Sequence, residues 1–298
     1  MKSTLVIGST VVDVLLNLPH LPVRGEDINL QAVSHRIGGC AWNTAWMLRL
    51  FDIPHTLCSP VGTGMYGRFV EERFFKEGIK PFAKVPEENG CCFCLIEEDG
   101  ERTFLSRHGA EYLFSKKWMN NIDYPGVDSI FICGIEVEDP TGSEIVDFVR
   151  DHPDLKLFFA PGPRIMNISS DRMEELFSCH PILHLNEREA LLFTGKSYIE
   201  SAADVLAAKT QNAIVVTLGD KGAWYMDKGE SKGHASAPFP AKVKDTIGAG
   251  DAHFGALIAC LKQGKTLGEA VEIANRIGAA VVEVSGATLG REEFSKIL

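Results

Sequence analysis

The stretch Asp245-Thr246-Ile247-Gly248-Ala249-Gly250-Asp251-Ala252-His253-Phe254-Gly255-Ala256-Leu257-Ile258 runs a glycine-rich turn straight into a helix pattern, with Asp251 at the join. Glycines let the backbone approach a ligand closely. The first amides of a helix have no intrahelical partners and point out of its end. With the helix dipole they form a site for an anion, most often a phosphate. A carboxylate beside such a site is placed where a phosphate would meet a hydroxyl. That is the arrangement hydroxyl-directed phosphoryl transfer needs. The same residues would also make a plain N-cap and tight turn, so the reading depends on what surrounds them.

Working outward, β-rich runs alternate with helix patterns. The strands are read at Thr4–Ile7, His55–Val61, Ser129–Cys133, Lys156–Ala160, Ile182–Leu185 and Ala213–Thr217. The helices are read at Ala41–Phe51, Tyr66–Glu77, Thr141–Asp151, Asp171–Cys179, Glu187–Thr194, Ala202–Lys209, Ala252–Gln263 and Leu267–Val282. Such alternation predicts an α/β fold with a mostly parallel sheet covered on both faces. Two regions break the rhythm, Val11–Arg36 and Cys91–Arg107. The turn Asp99-Gly100 makes the latter a β-hairpin. The two regions are expected to pair as a small sheet, either a lid over a substrate or a surface decoration.

The 298 residues carry a net charge of −10, with 45% hydrophobic and 23% charged residues. That balance argues against nucleic acid or an anionic membrane as partner. The apolar run after Met1 is too short for a signal-peptide core, no stretch reaches a membrane span, and a cytoplasmic protein is expected. Of the eight cysteines, Cys91, Cys92 and Cys94 cluster. A structural zinc site needs a second ligand pair at a recognisable spacing, and none follows.

Three weaker motifs accompany the first. Gly38-Gly39-Cys40-Ala41-Trp42-Asn43 opens a helix on a diglycine, with an amide suited to hydroxyls one turn in. Asn186-Glu187-Arg188-Glu189 follows a strand. Its oxygens suit magnesium through retained waters, and its spacing suits a capping box equally well. Thr217-Leu218-Gly219-Asp220-Lys221-Gly222 ends a buried strand in a Gly-x-x-Gly turn. It marks either a ligand site at a sheet's C-terminal edge or a simple hairpin turn.

In this order the four motifs resemble the ribokinase-like, or PfkB-type, carbohydrate kinases over nearly the whole chain. The resemblance implies one kinase domain over residues 1–298: a three-layer α/β/α core with a mostly parallel sheet, and a β-sheet lid from about 11–36 and 91–107. It implies an ATP-dependent kinase acting on a hydroxyl of a small sugar. Asp251 would be the general base, and the Gly248, Ala249 and Gly250 amides the anion hole. Asn186 and Glu189 would position Mg2+ through water, while Asn186, Thr217, Gly219, Gly222 and Asn275 would line the nucleotide site. Asp13, Gly39, Asn43, Arg107 and Glu136 would bind substrate, with His108 beside them. A monovalent cation such as K+ near Asp245 and Val284–Ala287, and a homodimer through the lid, are further implications. The chain departs from the usual pattern at Cys40, where lysine is common, and at His253, where an apolar residue is common. His253 reads as core-facing. Trp42 and Trp46, at helical spacing, read as core.

A nucleoside acceptor and a non-catalytic sugar- or nucleotide-binding regulator are the alternatives; the intact Asp251 turn disfavours the regulator. A Rossmann dehydrogenase would need G-x-G-x-x-G after the first strand, where the chain reads Gly8-Ser9-Thr10-Val11-Val12-Asp13.

Overall fold

The computed structural model describes residues 1–122 and 126–297. The chain packs as two compact units: Met1–Gly8, Cys40–Cys58 and Phe114–Leu298 form the first, Ser9–Gly39 and Ser59–Leu113 the second. Elements are numbered along the chain.

The first unit is built on eight strands: β1 (Ser3–Ile7), β4 (His55–Cys58), β9 (Val127–Cys133), β10 (Lys156–Ala160), β11 (Ile182–Asn186), β12 (Ile214–Thr217), β13 (Ala223–Met226) and β14 (His234–Ser236). They lie in the order β14-β13-β12-β11-β10-β9-β1-β4. Pairing is parallel from β4 through β12; only β13 and β14 join antiparallel. Central strands covered on both faces read as unbroken apolar runs rather than alternating ones. Leu5, Val6 and Ile7, like Ile130, Phe131 and Ile132, are fully buried.

Helices α1 (Cys40–Leu50) and α10 (Leu267–Val281) pack against α9 (Ala249–Lys262). Phe254 of α9 meets Phe131 and Phe158 edge-on, at centroid distances of 5.6 and 6.0 Å. Those two rings are paired in register on β9 and β10 and so share a sheet face. A second group, α5 (Gly142–Arg150), α6 (Ser170–Ser178), α7 (Glu187–Thr194) and α8 (Ile199–Thr210), packs among itself. The result is the expected mostly parallel α/β architecture. Short helices α3 (Lys116–Met119), α4 (Gly134–Glu138) and α11 (Arg291–Ser295) complete the unit. Trp42 is buried, a core residue as read, and stacks at 5.6 Å on Trp46, which is only half-buried.

In the second unit, β2 (Val11–Asn17), β3 (Ala32–Gly38), β7 (Cys91–Ile96) and β8 (Arg102–Arg107) form a separate four-stranded sheet ordered β3-β2-β7-β8. The two irregular regions do pair, and the hairpin turns where Asp99-Gly100 places it: Gly100 has φ 91° and donates to the Glu97 carbonyl at 2.9 Å. The segment His55–Val61, expected as one strand, is two. It breaks at Ser59, and β5 (Pro60–Thr63) pairs instead with β6 (Ala83–Glu88), beside α2 (Gly64–Lys76). Pro60 has no N–H to extend the β1 ladder, and the chain leaves the large sheet there.

Among the described residues no helix is long and apolar enough to cross a membrane.

Candidate active site

Helix α9 begins at a turn only glycine fits. Gly248 is its N-cap with φ 73°, and a Cβ there would stand 2.4 Å from the Ala287 Cβ. No side chain caps this helix end. Of the three amides expected to meet an anion, that of Ala249 donates to the Thr246 carbonyl at 3.3 Å. Gly248, Gly250 and Asp251 line a cavity of about 170 Å³, with Cys40, Asn186 and Glu189 on its wall.

The Asp251 carboxylate is set by its neighbours. Burial raises its pKa above the ordinary 3.8, and hydrogen bonds from Asn43 and Cys40 act against that rise. Asn43, buried on α1, donates from Nδ2 to Asp251 Oδ2 at 2.8 Å. The other amide atom, Asn43 Oδ1, is buried with no hydrogen-bond partner among the described residues. An orphaned buried acceptor is costly unless a ligand satisfies it. Cys40 and Cys133 are hydrogen-bonded to each other beside this carboxylate, and both thiols are raised. Glu136, on α4, is buried against Gly8 at the end of β1: a Cβ on Gly8 would lie 3.2 Å from its Oε1. Its charge adds to the rise of both thiols. The glutamate expected to bind substrate therefore belongs to the same buried group as Asp251.

Asn186 and Glu189 form a complete capping box at the start of α7. Glu189 N donates to Asn186 Oδ1 at 2.8 Å, Asn186 N to Glu189 Oε2 at 3.0 Å, and Asn186 Nδ2 to Glu189 Oε1 at 2.7 Å. Burial raises the Glu189 pKa, and the charge of Asp251 adds to the rise. A buried carboxylate that a second carboxylate disfavours is a donor suited to a hard divalent cation. The pair fits magnesium chemically, with the box holding both side chains in place.

A larger cavity of about 480 Å³ is lined by Thr217, Gly219, Gly222, Gly250, His253 and Asn275, with Pro238, Phe239 and Val243 among its apolar residues. Leu218 N donates to the Gly222 carbonyl at 2.8 Å, so the Gly-x-x-Gly segment is both a tight turn between β12 and β13 and part of this wall. Asn275 is buried on α10, and its amide is held on both sides. Nδ2 donates to Ser236 Oγ and the Ala237 carbonyl, both at 3.0 Å, and Oδ1 lies 3.0 Å from His253 Nε2. The histidine therefore donates from Nε2. Its Nδ1 then accepts from His184 Nε2 at 2.9 Å. Burial lowers His253 to about 4 and His184 well below 6.5, so both rings stay neutral near pH 7. His253 is core-facing, as read, but it is a link in a directed chain from the smaller cavity, which His184 lines, to the larger. The sequence reading missed His184 and Cys133. The available signal was a polar residue inside an otherwise apolar strand.

The remaining expected residues are carried by other elements. Asp13 is half-buried on β2, and Arg107 ends β8, with its guanidinium 3.4 Å from Glu88. His108 stacks on Tyr112 at 3.8 Å. Gly39 has φ 96°, and a Cβ on it would meet the Ser9 carbonyl at 2.6 Å. All four belong to the second unit, with Asp13 and Arg107 on its four-stranded sheet. Asp245 is buried and accepts from Ile247 N and Gly286 N, each at 2.9 Å, pinning the turn to the loop expected to share a cation.

Comparison with known proteins identifies the family of the chain. The pfkB family of carbohydrate kinases matches residues 1–293. An uncharacterized sugar kinase of Escherichia coli K12, YegV, is 32% identical over 286 residues, covering 94% of this chain and 88% of that one. A ribokinase of Haemophilus influenzae is 26% identical over 295 residues, covering 96% and 94%. The crystal structure of ribokinase from Thermotoga maritima superposes with a TM-score of 0.84 at 25% identity, over 100% of this chain and 99% of the other. The chain belongs to the pfkB family of carbohydrate kinases, phosphotransferases whose acceptor is an alcohol.

Proposed function

We propose that this kinase transfers the γ-phosphoryl group of ATP to a hydroxyl of a small free sugar, with Asp251 as the general base. The observation that carries the reading is Asp251 itself: a carboxylate of raised pKa, oriented by Asn43, at the open start of α9. A raised pKa makes the carboxylate a better proton acceptor. The acceptor hydroxyl gives its proton to Asp251 Oδ as its oxygen attacks the γ-phosphorus. The amides at the start of α9, among those of Gly248, Ala249 and Gly250, would stabilise charge on the transferred group. Asn43 Oδ1 would accept from a sugar hydroxyl, and Asp13, Gly39, Arg107 and Glu136 would fix the rest of the ring. The ATP base would occupy the larger cavity against Asn275. Magnesium, held through water by Asn186 and Glu189, would neutralise the phosphates.

Cys40 beside the base adds no positive charge to the sugar side, which favours a free sugar over a sugar phosphate. The small sheet is proposed as a lid that excludes water from ATP. Its exposed Val33, Phe104 and Leu105 are the surface a homodimer would cover. A monovalent cation at the Asp245 loop and a cytoplasmic location complete the proposal. A screen of pentoses, hexoses, sugar acids and nucleosides with ATP and Mg2+ tests it. ADP should appear together with an equal amount of a sugar phosphate monoester. Turnover confined to nucleosides would overturn the sugar assignment.

A further inference from the structure

The cysteine cluster that lacked ligands in the sequence gains one from the fold. Strand β2 runs parallel to β7 with Asp13 paired to Cys92, so both side chains leave one face of the small sheet. Cys94, two residues on, shares that face. The ligand atoms of Asp13, Cys92 and Cys94 all lie within 4.8 Å of one another. The two sulfurs are 3.9 Å apart. With Zn–S bonds of about 2.3 Å, tetrahedral geometry separates two thiolates by about 3.8 Å. The sulfurs thus stand at the spacing a shared ion would impose.

Two neighbours refine the chemistry. Ser106 follows Cys92 in register on β8, and its hydroxyl donates toward the Cys92 sulfur at 3.6 Å. Such a donor orients a ligating thiolate. Arg36, paired with Asp13 on β3, puts a positive charge on the same face. A cation held by charge alone gains little beside a guanidinium. Bonding to sulfur is what remains, and it selects zinc-like ions over magnesium or calcium.

We propose that Asp13, Cys92 and Cys94 form a binding site for a thiophilic divalent cation, zinc first among them, with its fourth position open to water or another ligand. Binding breaks two S–H bonds, forms two S–metal bonds and releases two protons to solvent. No electrons are transferred. The consequence for catalysis rests on the proposed role of Asp13: an ion holding this carboxylate competes with the sugar.

Cobalt(II) serves as a spectroscopic stand-in for zinc. The full chain, reduced and metal-free, is titrated with Co2+. Thiolate-to-cobalt charge-transfer and tetrahedral d–d bands should saturate at one equivalent and vanish on adding Zn2+. The charge-transfer band should fall by at least half in Cys92→Ser and in Cys94→Ala, each checked for folding by circular dichroism. Absence of a charge-transfer band in the wild type, or an unchanged band in Cys92→Ser, overturns the site. This readout needs no sugar and no turnover, so it stands apart from any failure of the kinase reading. The competition is tested separately: added Zn2+ should raise the sugar KM in the wild type and not in Cys92→Ser, and equal KM changes in both would overturn it.

Discussion

The two units hold their buried polar groups differently. In the first, a chain of neutral groups runs from His184 through His253 and Asn275 to the carbonyl of Ala237. In the second, one buried carboxylate gathers three donors: Glu111 Oε2 accepts from Asn89 Nδ2 at 2.9 Å and Gly90 N at 2.8 Å, and Oε1 from Gly109 N at 3.0 Å. A neutral chain keeps its geometry over a wide pH range without burying charge. A carboxylate knot fixes several loops at one point, and its loss leaves every partner unsatisfied. Rigid alignment of the two cavities it joins suits the first device. A small sheet with half-exposed faces, tied near Arg107 and His108, suits the second.

The sharpest way to break this contrast is Glu111→Ala. It strands three donors, two of them buried, at roughly 1–3 kcal/mol for each buried one, and should lower stability by about 3 kcal/mol or more. Glu111→Gln, which keeps one acceptor oxygen, should cost less. Denaturant unfolding measures both, and a loss below about 1 kcal/mol for the alanine variant would deny the knot its role.

His253→Phe should act through pH. The folded ring titrates at about 4 and the unfolded ring near 6.5. Between those values the unfolded state binds the extra proton, so stability is present above pH 6.5 and lost as pH falls toward 4. The loss is on the order of 3 kcal/mol. The variant should be less stable at pH 7, where His184 and Asn275 lose their partner, and should decline less between pH 6.5 and 4. An acid slope equal to the wild type would mean the ring is not held neutral.

The smallest expected effect concerns the proposed lid. Hydrogen exchange in 11–36 and 91–107 should slow a few-fold on sugar binding, more than in β9 or β10, because closure draws on contacts made only in the closed state. Equal slowing in the small sheet and in the large one would remove the distinction between the units.

The parts of this fold legible in the sequence were those with local causes. Alternating apolar runs gave the parallel sheet, Asp99-Gly100 gave the hairpin, and Gly248 marked the start of α9. The end of β4 was missed because Pro60 acts by withholding a ladder bond, which a β-rich composition hides. Asn43 and Asp251 were each legible as candidates, but their 2.8 Å hydrogen bond joins residues 208 apart in the chain, and no spacing encodes it. The same holds for Asp13 with Cys92, and for Cys133 and His184, which sit in apolar strands and meet the site only through sheet order.

The central claim is that Asp251 takes the acceptor proton. The most direct measurement is Asp251→Asn, assayed for kcat with the best sugar and for nucleotide Kd on the same preparation. Loss of a positioned base costs about 10²–10⁴ in rate, while removal of a negative charge near the phosphates leaves ATP binding within a few-fold. That split is the predicted result. A kcat near that of the wild type, with ATP still bound, would contradict the account.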